Sequence, residues 1–463
     1  MRLSALRSIL IPVLVLAGCR SPHARFEIEV RPDGEGFQRK LTCWKVGGAG
    51  SPEVQPLSAR ELARISKLYS KRESPAGAAK QVFSGRFTGK TPEDMGGAGS
   101  YTRFNSPLGS TSSYVERFRG SDDLESGLAA RPKSQVEFRD SKQCQAADRF
   151  ADLVARWLAA ELGRDPNFPR LKKFLDGEFR RDLRNIAAYA WTRETIAALG
   201  VETEPNGEFL VRAGQYLIER GYFSPKQVAA MAQSGLLYDA TPLLPHVQRF
   251  LAWKMGIPDD HPIPASLDFL GSDARLYASL EKHGGGEHGA DSMLEDLFAL
   301  SGIEGTIGFN ICGSEHDSLD LKLLSGKKPF HTNGKWDEKA AAVIWSKTLA
   351  PDQTLPAACF AFWSTPDRPA QEQHFGKVVL TDELLAGYAV WYCALSPAHA
   401  KEWDRFVGGL KPGPGLKAAI EAFRFSTDPK PSSKEPERRA DSLADTPRTL
   451  ILEGLVRQGD GAK

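Results

Sequence analysis

Apolar and charged residues alternate in Phe26-Glu27-Ile28-Glu29-Val30, placing Phe26, Ile28 and Val30 on one face and the glutamates on the other, as in a half-buried strand. Pro32-Asp33-Gly34-Glu35-Gly36 supplies turn chemistry, and Phe37 to Val46 returns as the partner strand. Gln81 to Thr88 and Ser113 to Phe118 read the same way. Between them, Ser58 and Glu61 form a capping-box pattern ahead of Leu62, Ile65 and Leu68 or Tyr69 at helical spacing. Residues 19–143 are therefore expected to form a small β-rich domain with one helical insertion.

The period then changes. Phe150, Leu153, Val154, Trp157, Leu158 and Leu162 give the stripe of an amphipathic helix, ended by Gly163 and Pro166. A second helical stretch runs from about Arg170 to Leu199, with a possible break at Gly177. Ser224-Pro225-Lys226-Gln227 combines an N-cap, a first-turn proline and a capping glutamine, Thr241-Pro242 opens another helix, and Ser272 and Asp291 are N-cap candidates. Helix starts near 146, 170, 208, 225, 242, 273 and 292 are unevenly spaced, so no repeat governs the central domain, 144–302.

Mixed patterns return over 303–425. Strands are expected at 305–311, 319–324, 357–363 and 376–380, and helices at 337–348, 382–395 and 397–410. The tail, 426–463, turns polar and proline-rich, and is expected to be mostly disordered apart from a short docked element at 449–456. The class expected for the whole is α+β: a small β-rich N-terminal domain, a central multi-helix domain and a C-terminal mixed α/β segment.

The first eighteen residues follow different rules. Arg2 and Arg7 precede an apolar run from Ile9 to Leu16, and Leu16-Ala17-Gly18-Cys19 closes it. The run is too short to span a bilayer, which takes roughly 17–25 apolar residues, and small residues before a cysteine suit a signal peptidase. The arrangement resembles the lipobox of bacterial lipoproteins. That resemblance implies recognition of Leu16, Ala17 and Gly18, cleavage before Cys19, and a triacylated Cys19 holding the chain to membrane lipid. In the proteobacterial pattern an aspartate after the cysteine retains the protein at the inner membrane; Arg20 stands there, favouring the outer membrane. The alternative is an ordinary secretory signal with an incidental cysteine.

The composition, 41% hydrophobic over 463 residues, suits a folded body of two or three domains. Removing Arg2 and Arg7 with the signal leaves 58 basic residues against 58 acidic ones, so charge gives no argument for a nucleic-acid partner. The longest later apolar candidate, Leu384 to Leu395, is too short to cross a membrane. Arg60, Arg64, Lys67, Lys71 and Arg72 surround the early helix; a helix packed by its apolar stripe is preferred to one lying on anionic headgroups. Beyond Cys19, five cysteines remain: Cys43, Cys144, Cys312, Cys359 and Cys393. Their odd number leaves at least one unpaired in a monomer, and the apolar surroundings of Cys359 and Cys393 read as buried, inert thiols.

Three constellations carry possible chemistry. His283-Gly284-Gly285-Gly286 looks like an esterase oxyanion segment, but no Gly-x-Ser-x-Gly elbow accompanies it and a helix end explains the glycines. His283, Glu287, His288 and Asp291 have ligand chemistry for zinc on a glycine-rich loop, though a solvated loop is the preferred reading. Cys312, His316 and Asp317 contain the elements of a nucleophilic site, yet their spacing equally suits a polar hairpin turn. The aromatics Phe360, Phe362, Trp363, Trp391, Tyr392, Trp403 and Phe406 fit core packing better than a binding groove. No cofactor is expected. The chain reads as a lipid-anchored cell-envelope protein that binds or scaffolds, with a membrane-anchored hydrolase or metal-dependent enzyme as the alternative.

Overall fold

The computed structural model describes residues 23–47, 54–75, 78–119, 132–197, 207–234, 243–283, 317–349, 357–427 and 443–460. Strand β1 (His23–Asp33) turns through Gly34 at φ +63° into its antiparallel partner β2 (Gly36–Val46), with Phe26 opposite Cys43 and Ile28 opposite Leu41. Beyond them come β3 (Val54–Gln55), helix α1 (Ala59–Ser66), β4 (Lys71–Arg72) and β5 (Gln81–Thr88). The capping box at Ser58 and Glu61 forms as expected, and Ile65 carries the buried face of α1. Next in the chain are β6 (Gly97–Ser106) and β7 (Gly109–Phe118).

Distant strands complete both sheets. These are β8 (Asp317–Leu323), β9 (His331–Thr332), β10 (Lys335–Asp337), β11 (Ala342–Leu349) and β12 (Ala357–Pro366). Among the described residues one sheet runs β10-β11-β8-β1-β2-β5-β4, with β3 on β2, and the other runs β6-β7-β12-β9. The β1–β8 pair is parallel; the remaining pairs are antiparallel. Strands from the 19–143 and 303–425 segments thus lie side by side in both sheets. The inward sets Phe26, Ile28, Val30, Leu41 and Phe83 meet Tyr101, Tyr114, Phe118, Ala361 and Trp363 in one core. Full burial of each large apolar side chain contributes about 1.5–3 kcal/mol.

The central helices are α2 (Pro132–Arg139), α3 (Lys142–Leu162), α4 (Phe168–Phe174), α5 (Arg180–Ala197), α6 (Gly207–Glu219), α7 (Pro225–Ser234), α8 (Leu244–Lys254) and α9 (Asp273–His283). A π-helical turn, Leu175–Phe179, joins α4 to α5 and contains Gly177, where the sequence placed a break. Trp157, Leu158 and Leu162 of α3 pack with Leu171, Leu251 and Met255. Helices α6 and α7 lie against the outer face of the four-stranded sheet, Val211 on Phe360 and Phe362, and Ala229 with Phe104.

The C-terminal helices are α10 (Arg368–Phe375), α11 (Asp382–Ala394), α12 (Pro397–Gly409), α13 (Leu416–Ala422) and α14 (Asp445–Asp460). Every residue of α11 from Leu384 to Trp391 is buried, as an all-round apolar helix requires. On one side Ala389 and Val390 meet Phe104; on the other Gly387 admits Leu450 of α14. The sheets, α6, α7 and α11 therefore stack as three layers, and the whole is the α+β fold expected, with a β-rich N-terminal region.

Two local expectations fail. Residues 337–348 form the last residue of β10, a turn and most of β11 instead of a helix, because Val343, Trp345 and Leu349 alternate into the inter-sheet core and Ala341 turns the chain at φ +45°. Residues 376–380 form no strand. Gly376 ends α10 in the left-handed region, and the buried Gln371 side chain accepts from the amides of Val379 and Leu380 at 2.9 and 2.8 Å, taking the place of a neighbouring strand.

Candidate functional site

Buried charge is concentrated between the sheets. The inward positions of β2 run Phe37, Arg39, Leu41, so the guanidinium of Arg39 enters the core, where its side chain is 0% exposed. Its Nε and Nη2 both donate to Asp94, each at 3.1 Å, and Nη1 donates to Glu116 at 2.7 Å. Nε also reaches the Tyr69 hydroxyl at 2.9 Å. Tyr69 in turn donates to Asp94, and Tyr114 to Glu116. Arg64 of α1 fixes the loop between β5 and β6 by donating to the carbonyls of Glu93 and Asp94 at 3.0 and 2.7 Å.

Burial opposes the charge of Arg39, yet Asp94 and Glu116 outweigh it and hold the guanidinium pKa above its ordinary value. Burial pushes the Glu116 carboxyl upward, assisted by Asp94 and opposed by Arg39. Tyr69 and Tyr114 are raised, first by burial. In the closed fold this cluster is sealed from solvent, so it can orient segments and store charge but cannot meet a substrate. No local motif in the sequence marks it. Its signal was present: Arg39 and Glu116 are charged residues at inward positions of alternating strands.

Of the nucleophilic candidates, Cys312 and His316 lie outside the described residues. Asp317 opens β8 and is fully engaged: Ala24 N donates to Oδ1 and Arg119 Nη2 to Oδ2, each at 2.5 Å. Arg119, at φ +51°, also donates to the Leu349 carbonyl at 3.2 Å. This carboxylate ties together the starts of β1 and β8 and the ends of β7 and β11.

Of the zinc candidates, Glu287, His288 and Asp291 lie outside the described residues. His283 ends α9, with Nε2 3.4 Å from Glu161 Oε1 on α3. Ser279 donates to that same oxygen at 2.6 Å and accepts from Trp157 Nε1 at 2.8 Å. The carboxylate thus sits between hydroxyl and imidazole, whereas nucleophile activation places the imidazole between hydroxyl and carboxylate. The arrangement pins α9 to α3. Among the described residues no three His, Cys, Asp or Glu side chains converge to hold a metal ion.

No family model, curated protein or solved structure matches this chain.

Cys43 and Cys359 are buried thiols; burial pushes Cys43 up to about 12 and Cys359 higher still. Cys393 corrects the expectation of a buried thiol. It is exposed near the end of α11, beyond the covered stretch, and its thiol donates to the Asn105 carbonyl at 3.2 Å. Phe360, Phe362, Trp363, Trp391 and Trp403 are buried, and Tyr392 and Phe406 pack against the same C-terminal cluster as Trp391 and Trp403. Leu16, Ala17, Gly18 and Cys19 precede the described residues.

Proposed function

We propose that this chain is a lipid-anchored cell-envelope protein whose folded body binds or scaffolds. The reading rests on Leu16-Ala17-Gly18-Cys19, with Arg20 favouring the outer membrane, and the fold gives it a geometric consequence. Strand β1 begins at His23, four positions after Cys19, and lies inside the eight-stranded sheet between β2 and β8. An acylated Cys19 would be joined to a core strand by a tether of at most about 14 Å. The end of the sandwich bearing the start of β1 would then face the bilayer. Among the described residues no helix is long and apolar enough to cross a membrane, so the acyl chains carry the attachment in this proposal.

The binding-or-scaffold half rests on the sequence, which joins an anchor signal to no strong catalytic or cofactor motif; the polar groups that come together among the described residues have structural roles. Asp317 bridges strands, Glu161 bridges helices, and the Arg39 cluster is closed to solvent. Each serves the fold. The test is Cys19→Ala: lipid labelling should disappear and the protein should leave the membrane fraction, whereas unchanged retention would contradict the anchor. Metal analysis of the purified protein addresses catalysis separately; stoichiometric zinc would favour the anchored-enzyme reading.

A further inference from the structure

The Arg39 cluster places two carboxylates against one guanidinium in a space where the side chains of Arg39, Asp94 and Glu116 are 0%, 1% and 3% exposed. With both acids ionised, a net negative charge would lie in a low-dielectric interior, which strongly opposes it. The two carboxylates are not equivalent. Asp94 receives two guanidinium nitrogens and the Tyr69 hydroxyl, while Glu116 receives one guanidinium nitrogen and the Tyr114 hydroxyl. The bidentate partner is the better seat for the negative charge.

The wall around the cluster is also uneven. Arg39 stands on β2 and Glu116 on β7, both strands with a neighbour on each side. Tyr69 and Asp94 belong to the edge: α1 has eight residues with Ile65 buried, and β4 is a two-residue strand at the end of its sheet. Tyr69, Asp94 and the Arg64 contacts hold this edge shut.

We propose that the closed cluster keeps one proton on its carboxylates, seated on Glu116, and that losing it unlatches the edge formed by α1, β4 and the Asp94 loop. The groups facing Glu116 fit this assignment. Arg39 of β2 balances Asp94, Tyr114 lies beside it on β7, and Cys359 of β12 stands opposite as a neutral buried thiol, with Lys347 and Arg212 acting on that thiol from beyond. Burial and Asp94 favour the neutral Glu116 carboxyl. Opening would admit water and return Glu116 to the ordinary carboxylate range, about 4.3. Between that value and the raised one of the closed state, opening releases a proton, so the closed edge is fully stable at the acid end and is lost as pH rises.

Hydrogen exchange of the whole chain, read by mass spectrometry across pH and expressed as protection factors, tests the latch. Protection in residues 59–72 and 89–95 should fall about tenfold per pH unit within that window, the slope for release of one proton, and then level off. Protection in β1 should stay flat, and E116Q should abolish the slope in those two segments. A flat wild-type profile overturns the proposal, as does an equal slope in E116Q. Should E116Q fail to fold, carbon NMR of isotope-labelled glutamate side chains in the wild type decides. The resonance assigned to Glu116, told apart from Glu194, which burial also raises, supports the latch if it titrates well above the ordinary carboxylate range and overturns it if it titrates within that range.

Discussion

Arg39 is the side chain whose removal should be felt most. Arg39→Met leaves the Asp94 carboxylate buried without its counter-charge and takes a guanidinium donor from Glu116, so a loss of about 3–5 kcal/mol is expected in urea unfolding. A change below about 1 kcal/mol would mean the carboxylates had found other partners or water. Gln371 is a neutral counterpart. It is fully buried, its Nε2 donates to the carbonyls of Leu108 and Leu380, and its Oε1 accepts from two amides. Gln371→Leu should cost about 3 kcal/mol or more by stranding several backbone groups, and a neutral unfolding midpoint would contradict that accounting. Neither role is announced locally. A charged or amide side chain at an inward position signals only that a partner must exist, and the partner sits at another point of the chain.

Elements with their own punctuation were the legible ones. The caps at Ser58, Ser224 and Ser272 form, with Ser224 Oγ accepting from Gln227 N at 3.3 Å and Gln227 Oε1 from Ser224 N at 2.8 Å. Strands β1, β2 and β5 follow their two-residue alternation. Strand β6, with Gly97, Gly99 and Ser100 at its start, lacks apolar alternation there and is defined by its pairing to β7. The alanine run at 340–342 suggests a helix, but the inward set after it belongs to the inter-sheet core. The final helix depends on close packing more than on its pattern. A Cβ on Gly454 of α14 would lie 2.2 Å from the Val379 carbonyl oxygen. Gly454→Val is therefore expected to loosen α14 from the segment at Val379 and cost about 1–3 kcal/mol, seen as a lower Tm and faster exchange in 445–457. Unchanged Tm and exchange would show the contact to be easily relieved.

At the scale of the molecule, the sheets join strands whose contacts span 293 positions, as in the Ala24–Asp317 bond. No local periodicity carries that information, which is why the β-rich character of the N-terminal region could be read from sequence while its pairing with β8 and β12 could not. A chain ending at residue 302 lacks those strands and should fail to protect β1, β2 and β7 from exchange, whatever its helices do; native protection of those strands would contradict the interleaved sheets. The same geometry bears on the proposed anchoring: if Cys19 is acylated, a core strand starting four positions later would leave the body little freedom to move away from the bilayer surface. Mass spectrometry of the N-terminal peptide from membrane-extracted protein tests this most directly. The account predicts a peptide beginning at Cys19 and carrying acyl chains; an unmodified peptide, or one beginning well downstream, would contradict it.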